Sequence, residues 1–471
     1  MKLTNIERRA FLAALASAGT YAACSPTPSG LLLPTSGASS PHRHAKTAPP
    51  SFSVPAWSTS KLTIVNKSSA DTIYWGMWGL DWNPTITDRA WWYVAETGGT
   101  YTVVKTQAGP GAKTAPYLSV DMFHTLSGPQ TTVTFPVLQS GECFISIGQP
   151  LECAVANKDG LGSAVTVLAN PFPAPNSRDY LTRFGQFEFT IDPGSGAYPA
   201  NCNPKGVNLP CDGILYPDLS NVDQISLPLT LEVNVNGNVS SAGFVPGGYD
   251  EFFAALAATP PFDRLIIYDG TTPVRALAPQ HGIELGLFPA DYLDTYIERV
   301  WEYLIDHPVT FFYPAGNPGT GRWNQGLAKA QVKSGVLTFS PVINKTYTST
   351  FTPFQMVRPT TYNVFACSGP FIGGGNTRAA AILAIFVSAL NRTCVTTGSG
   401  LPTGANPKTG LQPGCDPDLY YQNQQTNYFS KYLHQTAIGG LAYGFPFDDD
   451  CQQSSTLAGG SGATLKVIIT N

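Results

Sequence analysis

Between Lys61 and about Val245 the apolar positions recur every second residue in short runs broken by Gly, Pro and Asn. That period places successive side chains on opposite faces of a strand, and short strands at such spacing predict a β-sandwich or barrel. The runs are Leu62–Val65, Thr132–Val137, Phe144–Ile147, Ala164–Leu168, Phe187–Ile191 and Leu227–Val235. The pattern then changes. Helices are predicted over Tyr249–Ala257, Ala290–Ile305, Arg378–Leu390 and Thr426–Ile438, with Arg264–Tyr268 and Val309–Phe312 as strands among them. In the second helix Tyr292, Tyr296, Val300 and Leu304 fall at helical spacing. A last apolar run, Leu465–Thr470, reads as a terminal strand returning to the first sheet. This divides the body into a β unit, residues 60–245 plus 441–471, and a mixed α/β unit, residues 246–440.

Two carboxylates sit inside the strand patterns. In Phe187-Glu188-Phe189-Thr190, alternation sends Phe187, Phe189 and Ile191 one way and Gln186, Glu188 and Thr190 the other. Asn221–Leu229 reads as a second strand with Asp223 near its start. A Glu on a polar strand face is usually just solvated, and an Asp at a strand start is usually a turn residue. Two carboxylates held on rigid elements are also the minimal equipment for cleaving a glycosidic bond.

The surrounding text favours the second reading. The two segments resemble the central strands of the glycoside hydrolase family 64 β-1,3-glucanases. So do Leu62-Thr63-Ile64-Val65-Asn66-Lys67-Ser68 and Phe144-Ile145-Ser146-Ile147-Gly148. Late blocks match too, at Phe365-Ala366-Cys367-Ser368-Gly369-Pro370-Phe371 and Ala442-Tyr443-Gly444-Phe445-Pro446-Phe447-Asp448-Asp449. The resemblance implies a mainly β protein, a thaumatin-like β-barrel with an inserted mixed α/β domain forming a wide cleft. It implies an inverting endo-hydrolase of β-1,3-glucan releasing short laminari-oligosaccharides, the pentasaccharide foremost, with Glu188 as general acid and Asp223 as general base. Inversion carries a geometric expectation, carboxyl groups about 6.5–9.5 Å apart. No cofactor or metal is implied, and the expected state is a monomer.

The chain departs from the family pattern in two places. Glu188 and Asp223 lie 35 positions apart, farther than in the family, and the added loop over residues 192–216 holds Cys202 and Cys211. The family strand continues past the acid with an aromatic residue and an Asn, whereas this chain has Ile191 and Asp192. Asp192 is thus a third candidate carboxylate and, with Thr190, a candidate sugar contact. Aromatic rings stack on the apolar faces of glucose, and Tyr74, Trp75, Trp78, Trp82, Trp91 and Trp92 crowd into 19 residues. Core filling is the commoner use of any one of them. Trp82, and Trp323 in a Gly/Asn/Pro-rich stretch, are the candidate platforms. The departures keep a rival open: a surface-tethered protein that binds β-glucan without cutting it. A structural envelope lipoprotein is a third reading.

Composition narrows the field. Of 471 residues 12% are charged, while 46 Gly and 40 Pro describe a turn-rich, mostly β protein with long polar loops. Net charge is −4, with no basic patch dense enough for nucleic acid. Glu7-Arg8-Arg9-Ala10-Phe11-Leu12 resembles a twin-arginine export signal, and Tyr21-Ala22-Ala23-Cys24 a lipobox. Residues 1–23 are therefore read as a signal peptide, Cys24 as a lipidation site and 24–59 as a Pro/Ser-rich tether. The expected location is cell-surface or periplasmic. The apolar run Phe11–Ala23 is too short to span a membrane. Removing Cys24 from the nine cysteines leaves eight, which allow 105 pairings. Candidate pairs are Cys143–Cys153 across a hairpin at Gly148, Cys202–Cys211, Cys394–Cys415 and Cys367–Cys451. Asp448-Asp449-Asp450 reads as a turn secured by Cys451 rather than as a metal cluster.

Overall fold

The structure is a computed structural model that describes residues 59–70, 72–81, 91–94, 101–104, 118–119, 123–136, 138–151, 153–157, 165–169, 175–192, 214–314, 325–345, 348–372, 377–397, 417–457, 459 and 463–471. It is mainly β, with several sheets and few helices. Two sheets face each other across one apolar core. A five-stranded sheet runs in the order Asn238–Gly243, Leu229–Val235, Thr464–Ile469, Thr59–Asn66, Gln130–Pro136. A seven-stranded sheet runs Ile214–Asp218, Phe184–Asp192, Leu138–Ile147, Ile73–Asp81, Trp91–Val94, Tyr101–Val104, with His124–Thr125 also on Ile73–Asp81.

Alternation decides what enters the core. Leu62 and Ile64, Leu231 and Val233, and Leu465, Val467 and Ile469 point inward from the first sheet. Trp75, Met77, Cys143, Ile145, Phe187, Phe189 and Ile191 meet them from the second. Phe135 and Phe189 join edge to face across the gap, ring centroids 5.2 Å apart, an arrangement aromatic pairs favour. Gly141 is required beneath Phe189, because a Cβ there would collide with the ring. The C-terminal strand pairs parallel to Thr59–Asn66 and antiparallel to Leu229–Val235, which secures the terminus in the middle of the sheet as expected.

A second core gathers the helices. Gly248–Ala257, Asp294–Asp306, Thr377–Asn391 and Tyr428–Thr436 form near the predicted helices. They pack with a four-stranded sheet ordered Val309–Pro314, Gln325–Lys333, Val336–Val342, Phe354–Met356. Tyr296, Val300 and Leu304 are buried there, the stripe their spacing predicts. Two short helices escaped the periodicity reading, Pro279–Glu284 and Thr361–Phe365. Fewer than two turns each, they show no repeat.

The structure corrects the second carboxylate strand. Asn221–Leu229 is not one strand. Gln224–Ile225 pairs with Thr272–Leu277 in a separate three-stranded sheet, while Leu229–Val235 joins the five-stranded one. Pro228, which has no N–H for a ladder, lies in the break. The segment therefore crosses between the two cores, with Leu227 in the first and Ile225 in the second.

The cysteine pairings also need correction. Cys143 is a thiol in the first core, and Cys153 belongs to another sheet, paired with Ala169. The chain does turn at Gly148, φ 81°, but the strands on either side part rather than form a hairpin. Cys394 and Cys367 likewise keep their thiols, so neither forms its expected bridge. The Cys367 thiol donates to the Pro446 carbonyl at 3.0 Å. Cys451 is disulfide-bonded, with a partner other than Cys367. Cys202 and Cys211 lie outside the described residues, as do Cys24 and everything before residue 59. Among the described residues no helix is long and apolar enough to cross a membrane.

Candidate active site

On the face of the seven-stranded sheet turned away from its core, a row of polar side chains crosses four strands. In the antiparallel register Glu188 pairs with Asp218 on one side and Glu142 on the other, and Glu142 pairs with Trp78. Side chains directly opposite in such pairs have Cβ atoms about 4.5–5.5 Å apart. Three carboxyl groups therefore stand abreast. Trp78 closes the row, its indole N–H donating to Glu142 Oε2 at 3.1 Å. The Trp78 ring is held flat against Phe144, centroids 5.2 Å apart and 14° from parallel.

Like charges so close resist simultaneous ionisation. Glu188 is pushed above its ordinary value first by burial, with the Ser220 hydroxyl opposing and Asp223 adding to the rise. Burial is also the chief cause for Glu142, which reaches about 8, with Glu188 next. Asp218 is raised well above the usual carboxylate range by burial, then by Glu188 and Asp449. Near neutral pH Glu142 keeps its proton.

Asp223 is placed differently. It lies just before the short strand Gln224–Ile225, 5% exposed, where its charge acts on both Glu188 and Glu142. The start of the helix Pro279–Glu284 grips this stretch of chain. The Ala278 N–H donates to the Asp223 carbonyl at 2.9 Å, and the Gln280 amide to the Val222 carbonyl at 2.7 Å. His281 Nε2 meets Asp223 Oδ1 at 2.7 Å, and Nδ1 meets Glu284 Oε2 at 2.8 Å. Burial alone would lower the imidazole, but the two carboxylates outweigh it and raise its pKa to about 9.

Arg275 joins the two halves. Fully buried, it donates to Gln224 Oε1 at 2.6 Å and to the carbonyls of Asp179 and Thr182 at 3.1 and 2.7 Å. Its guanidinium lies over the Phe184 ring, 5.0 Å from the centroid. It thus fixes the residue after Asp223 to the turn that enters the Glu188 strand.

Thr190 shares the Glu188 face, buried and paired with Tyr216. Asp192 ends the same strand opposite Ile214, its side chain outside the described set. Trp82 and Trp323 also lie outside the described residues, as does most of the 192–216 loop. Trp75 and Trp78 are both buried, Trp75 within the core. Four partners were missed from sequence: Glu142, Asp218, His281 and Glu284. The signal for Glu142 was present, because alternation extends back from Phe144 through it; His281 shows nothing before the fold brings it to Asp223. In the Asp448–Asp450 turn, Asp448 and Asp450 face the buried Arg392, while Asp449 acts on Asp218. Among the described residues no His/Cys/Asp/Glu group could hold a metal ion.

Comparison with known proteins decides the family. The model of the family described as Beta-1,3-glucanase, glycoside hydrolase family 64, matches residues 58–469. The chain belongs to glycoside hydrolase family 64. Two glucan endo-1,3-beta-glucosidases, from Cellulosimicrobium cellulans and Arthrobacter sp., are each 26% identical over 409 residues, covering 85% of this chain. The chain spans 63% of the length of these relatives. Its fold is similar to that of a laminaripentaose-producing β-1,3-glucanase solved with laminaritetraose, TM-score 0.64 and 23% identity. That match covers 88% of this chain and 99% of the other. A family 64 β-1,3-glucanase domain from Clostridium beijerinckii gives TM-score 0.62 and 20% identity, covering 90% and 100%.

Proposed function

We propose that this family 64 protein is an inverting endo-β-1,3-glucanase that releases short laminari-oligosaccharides, chiefly the pentasaccharide. The observation that carries the reading is the contrast between its two carboxyl groups. Glu188 is raised by burial in a row of acids, whereas Asp223 receives a hydrogen bond from a histidine charged at neutral pH. A carboxyl raised by burial, facing a second one that a histidine holds by a hydrogen bond, suits the division of labour between acid and base in glycoside hydrolysis.

In this mechanism the Glu188 carboxyl gives its proton to the glycosidic oxygen as the C1–O bond breaks. Asp223 takes a proton from a water whose oxygen bonds to C1 from the opposite face. Exchange with solvent returns the proton to Glu188. Thr190, two residues along the same face, is assigned to a sugar hydroxyl, and Asp192, Trp82 and Trp323 remain candidate glucan contacts. The pentasaccharide is supported by the laminaripentaose-producing enzyme whose fold is similar.

The two-sheet unit is read as a thaumatin-like barrel and residues 246–440 as its inserted domain. Export through a twin-arginine signal, a lipid anchor on Cys24 and a monomeric state complete the proposal. Proton NMR of the first products from laminarin tests the stereochemistry: α-configured reducing ends support inversion, and β-configured ones refute it. Mass spectrometry of the exported chain tests the lipid.

A further inference from the structure

We propose that His281 is the positioning residue of the general base, an imidazolium clamp that fixes which oxygen of Asp223 faces the attacking water. The inference rests on the assignment of Asp223 as base. Each link is a short contact. His281 Nε2 takes Oδ1 of Asp223 at 2.7 Å, leaving Oδ2 as the oxygen to accept the proton from water. His281 Nδ1 is held by Glu284 Oε2 at 2.8 Å, and the other Glu284 oxygen accepts from the Tyr362 hydroxyl at 2.6 Å. The His281 side chain is 10% exposed, so the geometry is set by packing and not by solvent.

A neutral imidazole has one N–H and can donate to one carboxylate only; two carboxylates on two ring nitrogens call for the doubly protonated ring. The imidazolium carries a second consequence. Asp223 lies within the field of Glu188 and Glu142, and the imidazolium sets a positive charge beside it. Asp223 and Glu284 both act on the ring, through hydrogen bonds and through their charges.

The clamp also explains how two separately built cores share one site. The acid comes from the seven-stranded sheet. The base is held by the helix Pro279–Glu284, and that helix by Tyr362 on the helix Thr361–Phe365.

The test has two independent parts. In the wild-type protein, 15N NMR of the histidine rings follows protonation, with His281→Gln assigning the signal. The clamp requires a ring doubly protonated through pH 8 that titrates near 9. A ring that titrates near the ordinary value of about 6.5 overturns it, whatever the enzyme cuts. The second part is kinetic, on laminarin. His281→Gln lowers kcat by about 10- to 100-fold with KM within about twofold, and moves the acidic limb of kcat/KM upward by about one pH unit. Glu284→Gln, at the far end of the clamp, lowers the pH at which the ring titrates by NMR. An unchanged limb in His281→Gln, or an unchanged ring titration in Glu284→Gln, overturns the positioning role. A wild type that releases no sugar refutes the glucanase reading and the role with it, while the NMR result judges the clamp alone.

Discussion

Glu188 and Glu142 stand directly opposite one another, side by side on one face of the seven-stranded sheet. Two acids so placed share fewer than two charges near neutral pH, and Glu142 is pushed to about 8. Its folded pKa thus lies above its unfolded value. Stability from the protonated form is full below about 4.5 and is lost as pH rises through about 8. Glu142→Gln, always neutral, removes this loss. The variant should gain about 2–4 kcal/mol over the wild type at pH 9 and little at pH 4 in urea unfolding. Parallel stability–pH curves would contradict the shift.

Asp223→Asn keeps the shape of the base but not its proton affinity. We expect kcat on laminarin to fall by about 10²–10⁴, the usual worth of a general base. The same change takes one carboxylate from His281, so the ring titrates lower by NMR. Near-normal turnover would transfer the base role elsewhere, with Asp192 the first alternative.

Arg392 and Asp448 form an ion pair with no exposure on either side chain, 2.9 Å apart. The same carboxylate accepts from His434 Nε2 at 3.1 Å and the Gly444 N–H at 2.9 Å. Burial raises Asp448, but His434, Arg392 and Gly444 outweigh it and hold it below the usual range. Its contribution is therefore present above the unfolded value of about 3.8 and is lost as pH falls through the lower folded value. Asp448→Asn should cost about 3–5 kcal/mol at pH 7, because it takes from a buried guanidinium its nearer counter-charge and leaves only Asp450, 3.9 Å away. A loss below about 1 kcal/mol in urea unfolding would contradict the reading.

Cys143, Cys367 and Cys394 keep their thiols. Denaturation without reductant, followed by alkylation and peptide mass spectrometry, should label all three. A Cys143–Cys153 bridged peptide would contradict the sheet assignment.

The first strands were legible because burial on one face writes a period of two into the text. Phe187, Phe189 and Ile191 enter the core, and Gln186, Glu188 and Thr190 do not join it. Asp223 was legible through resemblance, but its setting was not. A nine-residue run of mixed apolar and polar residues looks the same whether it is one strand or a crossing between two cores, and only the partners of Ile225 and Leu229 distinguish them. The disulfide expectation failed for a related reason. Equal spacing from Gly148 describes a hairpin, yet sheet membership is set by distant strands. His281 left no trace, because a clamp 58 positions from its carboxylate has no local pattern.

The central claim is that Glu188 donates the proton that breaks the glucan chain. The direct measurement compares wild type and Glu188→Gln on laminarin and curdlan, with products resolved by chromatography and protein binding to insoluble curdlan measured alongside. The wild type is expected to give a discrete oligosaccharide ladder dominated by the pentasaccharide. The variant is expected to turn over at least about 10³-fold more slowly with curdlan binding retained. A variant that still produces the ladder at a near-normal rate, or a wild type that binds curdlan and releases nothing, would contradict the claim.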